Sequence, residues 1–328
     1  MFCFFKSIAK LSGRTFERLK KLVLISLLLI SHLVSIGQDS IPLTKNYASR
    51  KWLIGGLMAA GYGGSLIALN EAWYKDYPKT SFHSFNDARE WLQVDKVGHS
   101  WTAYNTSRAT TAMWQWAGYR GPQKNKAVWL GSLTGFTYLT VIEFLDAHSA
   151  NWGWSWSDIG ANLFGTGLFA GQEFMWKEQR IQFKFSSHKR DYNPSLEKRA
   201  NDLYGSGFAE RLLKDYNAQT YWLSCNLAAF LPKNSLPSWL NISIGYGAEG
   251  MFGGFSNLVY DDNGNIIFDG SNIKRYRQWY LAPDIDLTKI KTRSALLRTV
   301  FASLNSLKFP APALEFSNNK LKLKALAF

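Results

Sequence analysis

Residues 127–142 form a run of 16 without a charge, and Glu143 follows at once, with Asp146 three positions on and His148 close behind. A carboxylate set against a long apolar surface costs free energy unless something meets it. Either Lys96, His99 or a metal ion comes to Glu143, or Glu143 is the first wet residue at an interfacial helix end. Spacing alone leaves both open.

The run sits inside a stretch from His83 to Gly171 that holds most of the chain's candidate chemistry. Asp95 and His99 are four apart, so on a helix they share one face, and His83 and Asp87 repeat the spacing. A carboxylate beside an imidazole raises its pKa and orients it, which suits a general base or a metal ligand. It equally suits a surface ion pair or a polar cluster that locks two helices. Ser84 stands three before Asp87, a capping-box spacing that predicts a helix over 85–94. Asp95 either caps or continues it through Trp101, Tyr104 and Met113, and residues 118–122 end it. Ser155 and Asp158 repeat the capping spacing and open a glycine-rich helix that runs to about Gln179. That cap gives Asp158 a structural job. Asn162, inside the apolar part of the helix, is expected to hydrogen-bond across a helix interface. Gly131 and Gly135 make a small-xxx-small pair for close helix approach.

The start of the chain reads as an address. Six cations against Glu17 put +5 on the first 21 residues, leaving about +9 of the total +14 for the rest. An apolar run over 22–34 and small residues before Gln38 follow, so 1–37 is expected to be a secretory signal peptide, or an uncleaved signal anchor. No cysteine follows the apolar run, so there is no lipobox, and Cys225 is the only cysteine in the mature chain. An intramolecular disulfide is therefore excluded and the fold must be held by packing or by a membrane. Residues 52–69 are a second uncharged run, of 18 residues and rich in glycine. It is long enough for a marginal membrane span or a buried helix. The basic mature charge fits an anionic lipid membrane surface. Export disfavours nucleic acid, and protein partners stay open.

Composition changes near Phe185, and residues 186–202 are polar and charged, the best linker. Residues 203–216 have helical periodicity. From Leu240 the period becomes two, with Leu240, Ile242, Ile244 and Tyr246 alternating against Asn241, Ser243, Gly245 and Gly247. Residues 261–265 read as a turn, 275–287 as a strand, 296–304 as a helix, and Asn318–Asn319 as the tip of a short hairpin. The final Phe328 faintly suggests a closing outer-membrane strand, but too few strands precede it for a barrel. The expected fold class is α+β. A mostly helical bundle of about four helices (38–185), with membrane embedding in part, precedes the linker and a smaller domain (203–328) of short antiparallel strands with one or two helices.

No nucleophile elbow, phosphate-cradling loop, His-Glu-x-x-His or cysteine zinc set is present. No motif specifies a cofactor, and a divalent metal stays open. Three blocks, Asp95-Lys96-Val97-Gly98-His99, Glu143-Phe144-Leu145-Asp146 and the run from Ser157 to Gly165, together resemble the YfiM-like periplasmic lipoproteins. That is a domain of unknown function, here in a Bacteroidetes-type long form. The same blocks more distantly resemble VanZ-like membrane proteins. The resemblance covers residues 50–185. It implies an envelope location and convergence of Asp95, His99, Glu143, Asp158 and Asn162, and it supplies no reaction. The absent lipobox departs from the lipoprotein pattern.

Three functional readings follow. The first is a non-enzymatic, membrane-associated envelope protein facing the periplasm, whose polar cluster (Asp87, Lys96, Asp146, Asn162 and His83 included) specifies helix packing. The second is a hydrolase or transferase on a lipid-linked envelope substrate. His99 would be base or metal ligand, Asp95 its orienter, and Glu143 and Asp158 the rest of an acid/base or metal shell. The third is a soluble periplasmic binding module.

Overall fold

The computed structural model describes residues 47–70, 78–232, 235–261 and 263–327, without the side chains of Ala68 and Leu69. The expected signal segment, Cys3 and Phe328 lie outside the described residues. The class is α+β, with helices first and an antiparallel sheet after them.

Helix α1 (Ala48–Leu69) packs Ile54 and Met58 against Trp116 and Ala117 and leaves Trp52, Leu53 and Ile67 exposed. Its five glycines face open space, so they serve no close approach within the described chain. Helices α2 (Val94–Trp116), α3 (Lys124–Asp146) and α4 (Trp156–Met175) form an interlocked trio. Gly131 and Gly135 of α3 lie so close to Thr111 and Ser107 of α2 that a Cβ would overlap them. Gly165 of α4 lies equally close to the Ser100 carbonyl. Gly165→Ala is expected to push α4 off α2 at a cost of about 1–3 kcal/mol. A lowered denaturation midpoint would show it, and an unchanged midpoint would mean the helices separate freely. The segment Gly121–Asp146 is long and apolar enough to cross a membrane by length and composition. Its Ala127, Val128 and Leu139 are core, while Trp129, Leu133 and Phe144 are exposed.

The helix expected over 85–94 is not formed. The chain runs extended, making bridges Lys79↔Ser149 and Ser84↔Trp154, then enters a 3-10 turn, Glu90–Gln93. Trp91, Leu92 and Gln93 have φ of 48°, 50° and 66°, a left-handed conformation that costs a non-glycine residue about 1–2 kcal/mol. Such a turn persists only where its surroundings over-determine it. Trp91 N donates to Gly254 O (2.8 Å), Tyr246 OH donates to Leu92 O, and Arg277 Nη2 donates to Gln93 Oε1 (2.6 Å). Asp87 does not cap a helix because Ser155, Ser157 and Lys96 claim its carboxylate. Tertiary partners thus outweigh a local capping preference.

Ser155 does cap α4, its Oγ accepting from Asp158 N at 3.0 Å. That helix ends at Met175, and strand β1 (Ile181–Ser187) begins six residues later. The stretch expected as a linker contains the end of β1 and most of helix α5 (Pro194–Tyr204). The single helix expected over 203–216 is divided, because Gly205 (φ 78°) separates α5 from α6 (Phe208–Lys214). Strands β2 (Gln219–Asn226), β3 (Leu240–Glu249), β4 (Leu258–Tyr260), β5 (Ile266–Asp269) and β6 (Tyr276–Ile285) follow. Helix α7 (Ala295–Leu304) and the hairpin β7 (Ala311–Ser317) and β8 (Lys320–Ala327) close the chain. The hairpin turns through Asn318 and Asn319, both left-handed.

The main sheet has the order β1-β2-β3-β6-β7-β8, antiparallel throughout, with β4 and β5 a separate pair. It is strongly curled. Lys184 on β1 reaches Asp284 on β6 at 2.8 Å with two strands between them, a gap of about 14 Å in a flat sheet. Gly245 permits the curl, because the Trp222 ring lies where a Cβ would stand. The free edge of β1 is covered by the chain on its way to β7, with Phe185 N to Ser306 O at 2.9 Å and Lys308 N to Phe185 O at 2.8 Å. Helices and sheet share a core of Val94, Tyr104, Phe169, Phe183, Tyr221 and Met251.

Candidate functional site

Lys96 stands at the centre of the helical trio. Its ammonium donates to Asp87 Oδ2 (2.5 Å), Asp95 Oδ2 (2.9 Å) and Asp158 Oδ2 (2.9 Å), three carboxylates drawn from the extended segment, α2 and α4. Asp87 accepts in addition from Ser155 Oγ (2.6 Å) and Ser157 Oγ (2.7 Å), and Asp95 from Tyr216 OH (2.8 Å). One turn along α2, His99 places Nδ1 3.2 Å from Asn162 Oδ1, so that Nδ1 carries the hydrogen and Nε2 faces inward. Nε2 lies 3.8 Å from Glu143 Oε1 and 3.9 Å from Asp158 Oδ1. Both Asp158 oxygens straddle the Lys96 ammonium at 2.9 Å. Oδ2 takes the hydrogen bond, and Oδ1, buried, takes none. Asn162 Nδ2 is likewise buried without a hydrogen-bond partner.

The structure therefore brings together Asp87, Asp95, Lys96, His99, Glu143, Asp158 and Asn162. It leaves His83 and Asp146 outside. His83 faces its own turn, with Nδ1 3.3 Å from Ser81 O, because the helix that would have aligned it with Asp87 is absent. Asp146 is half-buried at the end of α3. Spacing gave no signal for Tyr216 or Glu90. Tyr216 arrives from beyond α6, and Glu90 is turned toward the cluster by the left-handed bend and packs on Gly254.

Acids outnumber bases here. Glu90, Asp87, Asp95, Glu143 and Asp158 gather around two bases, Lys96 and His99, with Arg275 near Glu90 at the margin. Burial raises Glu143 to about 8, Glu90 to about 7 with help from Asp95, and Asp158 to about 6. Burial would also raise Asp87, but hydrogen bonds from Lys96, Ser155 and Ser157 outweigh it and hold Asp87 at about 2. Burial opposes the charge of Lys96, and Asp95 and Asp158 more than restore it. His99 is also raised, because Asp95, Asp158 and Glu143 outweigh its burial. The arrangement holds exchangeable protons between His99, Glu143 and Asp158 near neutral pH.

Glu143 sets a pH dependence of folding. A carboxyl raised from 4.5 to about 8 binds its proton more tightly folded than unfolded, so its contribution is full below 4.5 and falls away as pH rises to about 8. Glu143→Gln removes that loss. Relative to wild type, the variant is expected to gain a few kcal/mol at most between mildly acid and mildly alkaline pH. Parallel stability–pH curves for the two proteins would show that Glu143 is ionised throughout.

Asp95, His99 and Asp158 each offer a ligand atom, all within 4.8 Å of one another. The fit to a divalent ion is poor, because the Lys96 ammonium already sits against both carboxylates. A proton suits this donor set better than a second cation.

Residues 84–171 match the family model described as "Predicted periplasmic lipoprotein (DUF2279)". The matched span holds every residue of the cluster except Tyr216. No curated protein and no solved structure matches the chain significantly.

Proposed function

We propose that this chain is an exported envelope protein, associated with a membrane, whose Lys96–His99 cluster performs acid–base chemistry on the polar head of a lipid-linked substrate, as a hydrolase or transferase. One observation carries the reading. The cluster abuts an open, mostly apolar groove of about 530 Å³ between the helices and the sheet, lined among others by Gln93, Lys96, Ser100, Phe164, Tyr221 and Trp279. An apolar chain fills such a groove while its head meets Lys96.

The roles follow from position. Lys96 is the cluster residue that reaches the groove, and a head seated there takes one of its three ammonium hydrogens in place of Asp87, Asp95 or Asp158. His99 Nε2, with Asn162 at its other nitrogen, passes a proton to or from Glu143 and Asp158. The family description supports export to the periplasmic side, and the basic charge supports an anionic membrane surface as partner.

The test pairs turnover with folding. Purified full-length protein and its His99→Gln variant are incubated with envelope lipid extract, and the lipids are compared by mass spectrometry. A head-group product formed by wild type and lost in a folded His99→Gln variant is expected. Identical lipid profiles overturn the reading.

A second reading has its own support. Glu143 and Asn162 are sealed from solvent, at 2% and 0% exposure, and tie α3 and α4 to His99 on α2. In that case the network specifies packing, and His99→Gln lowers stability without changing any lipid.

A further inference from the structure

We infer that the convex face of the sheet from β3 to β8 lies against the acyl chains of a lipid bilayer. This face meets the groove beside the cluster at Ile244 and Trp279, and the inference does not depend on the cluster being catalytic.

The strands are inverted relative to a water-facing sheet. Antiparallel sheets with one solvated face turn apolar residues in and polar residues out. Here Asn241 and Ser243 on β3, Gln278 and Asp284 on β6, and Glu315 and Ser317 on β7 are buried inside the curl. Their neighbours Ile242, Ile244, Trp279, Leu281, Leu314 and Phe316 point outward, with exposures from 37% for Ile242 to 57% for Ile244. On the edge strand β8 both faces are exposed, and Leu321 and Leu323, at 68% and 76%, extend the outward apolar row.

No change of register rescues this face. A one-residue slip would bury the apolar set, but it would also expel Asp284, on which Lys184 (2.8 Å) and Lys308 (3.5 Å) converge inside. The curled interior is filled by this charge and by Trp222 with the small Ala282 and Ala313, so the large apolar side chains of β3, β6 and β7 stay outside. An uncovered apolar surface of this extent in water marks a docking or membrane face.

Two features select lipid over protein. The outward row from β3 to β8 carries no carboxylate. Its charged member is Arg277, and at the sheet edge Lys320, Lys322 and Lys324 stand on the other face of β8, where Lys322 and Lys324 pair with Glu315 yet stay 48% exposed, so the rim beside the apolar face is basic and suits anionic head groups. The surface is also continuous with the helices, because the groove joins Ile244 and Trp279 to Phe164 of α4, itself 54% exposed. One apolar seat thus runs from the helices across the sheet.

The experiment uses the full chain in vesicles of phosphatidylethanolamine and phosphatidylglycerol, in a Cys3→Ser, Cys225→Ser background. An environment-sensitive fluorophore is placed at Leu281→Cys, Phe316→Cys or Leu323→Cys, with Lys198→Cys on α5 as control. Quenching by a doxyl group on the lipid chains is expected to be several-fold stronger at the three sheet positions than at 198. Equal quenching overturns the inference. So does disulfide cross-linking of Leu281→Cys between copies with exclusion of the quencher, which would make the face a protein interface. Should a labelled variant fail to fold, Leu281→Arg is expected to reduce co-flotation with the same vesicles several-fold, and undiminished flotation again overturns it.

Discussion

Lys96→Met is expected to unfold the helical half of this protein under conditions where wild type is stable. The substitution keeps the stem and removes the ammonium from among Asp87, Asp95 and Asp158, at 2.5, 2.9 and 2.9 Å. Breaking a buried ion pair by deleting one partner costs about 3–5 kcal/mol, because the other charge stays buried without compensation. Three such charges are left here, and Asp87 would lose the bond that helps hold it at about 2. The carboxylates would take up protons, so stability should recover partly as pH falls, and Asp87, which in wild type favours folding above 3.8 and loses that contribution toward 2, would join Glu143, Glu90 and Asp158 in favouring acid. Denaturant unfolding in detergent at two pH values measures this. An unchanged midpoint would mean that water already screens the cluster. Adding Asp158→Asn to Lys96→Met should restore part of the loss, since one of the stranded charges is gone.

Asp284→Asn is expected to be comparably severe in the sheet. Lys184 and Lys308 both reach this carboxylate, their side chains are 1% and 0% exposed, and Ser224 Oγ donates to it at 2.6 Å. Burial already pulls both lysines below their usual 10.5, and Asp284 is what opposes that pull. Without it the folded state holds fewer protons on these lysines than the unfolded state does. Stability then rises with pH and is poorest at neutral and acid pH. The expected loss near neutrality is about 3–5 kcal/mol, with partial recovery in alkaline buffer. A pH-independent loss would show that the lysines stay charged and find other acceptors, such as the Ile285 and Pro283 carbonyls that they already touch.

The two variants probe the same device at two places. In each, cations and carboxylates from distant parts of the chain meet out of water while apolar side chains are turned outward. At the helices Lys96 gathers residues from three segments. In the sheet Asp284 gathers strands β1 and β6 and the approach to β7.

Local chemistry was readable from residue spacing. The Ser155–Asp158 cap, the alternation that begins at Leu240, the turn at Asp261–Asn265 and the Asn318–Asn319 hairpin each depend on neighbours within a few positions. So did the close approach at Gly131 and Gly135 and the alignment of Asp95 with His99 on α2. Strand β1 was missed although its alternation is present, because its start fell in the expected helical domain and Ser186 and Ser187 in the expected linker, an inward polar face with a buried Lys184 not being anticipated.

The amino-acid sequence by itself determined the cap that opens α4, the turns at 261–265 and 318–319, the shared helix face of Asp95 and His99, and that Glu143 would need a partner. Those outcomes rest on backbone propensity and capping, which act over a few residues. Only the tertiary structure decided that Asp87 leaves its capping position for Lys96 and the serines, and that Glu90 and Tyr216 join the cluster. It alone decided that the sheet would close on charge and expose its apolar side. Most of the partners lie 60 or more residues apart, as with Lys96 and Asp158 at a separation of 62 and Tyr216 and Asp95 at 121, and even Asp87 and Lys96, nine apart, sit on different elements. Desolvated charges choose among all carboxylates and cations that packing brings within reach, and that choice is not encoded at any one position.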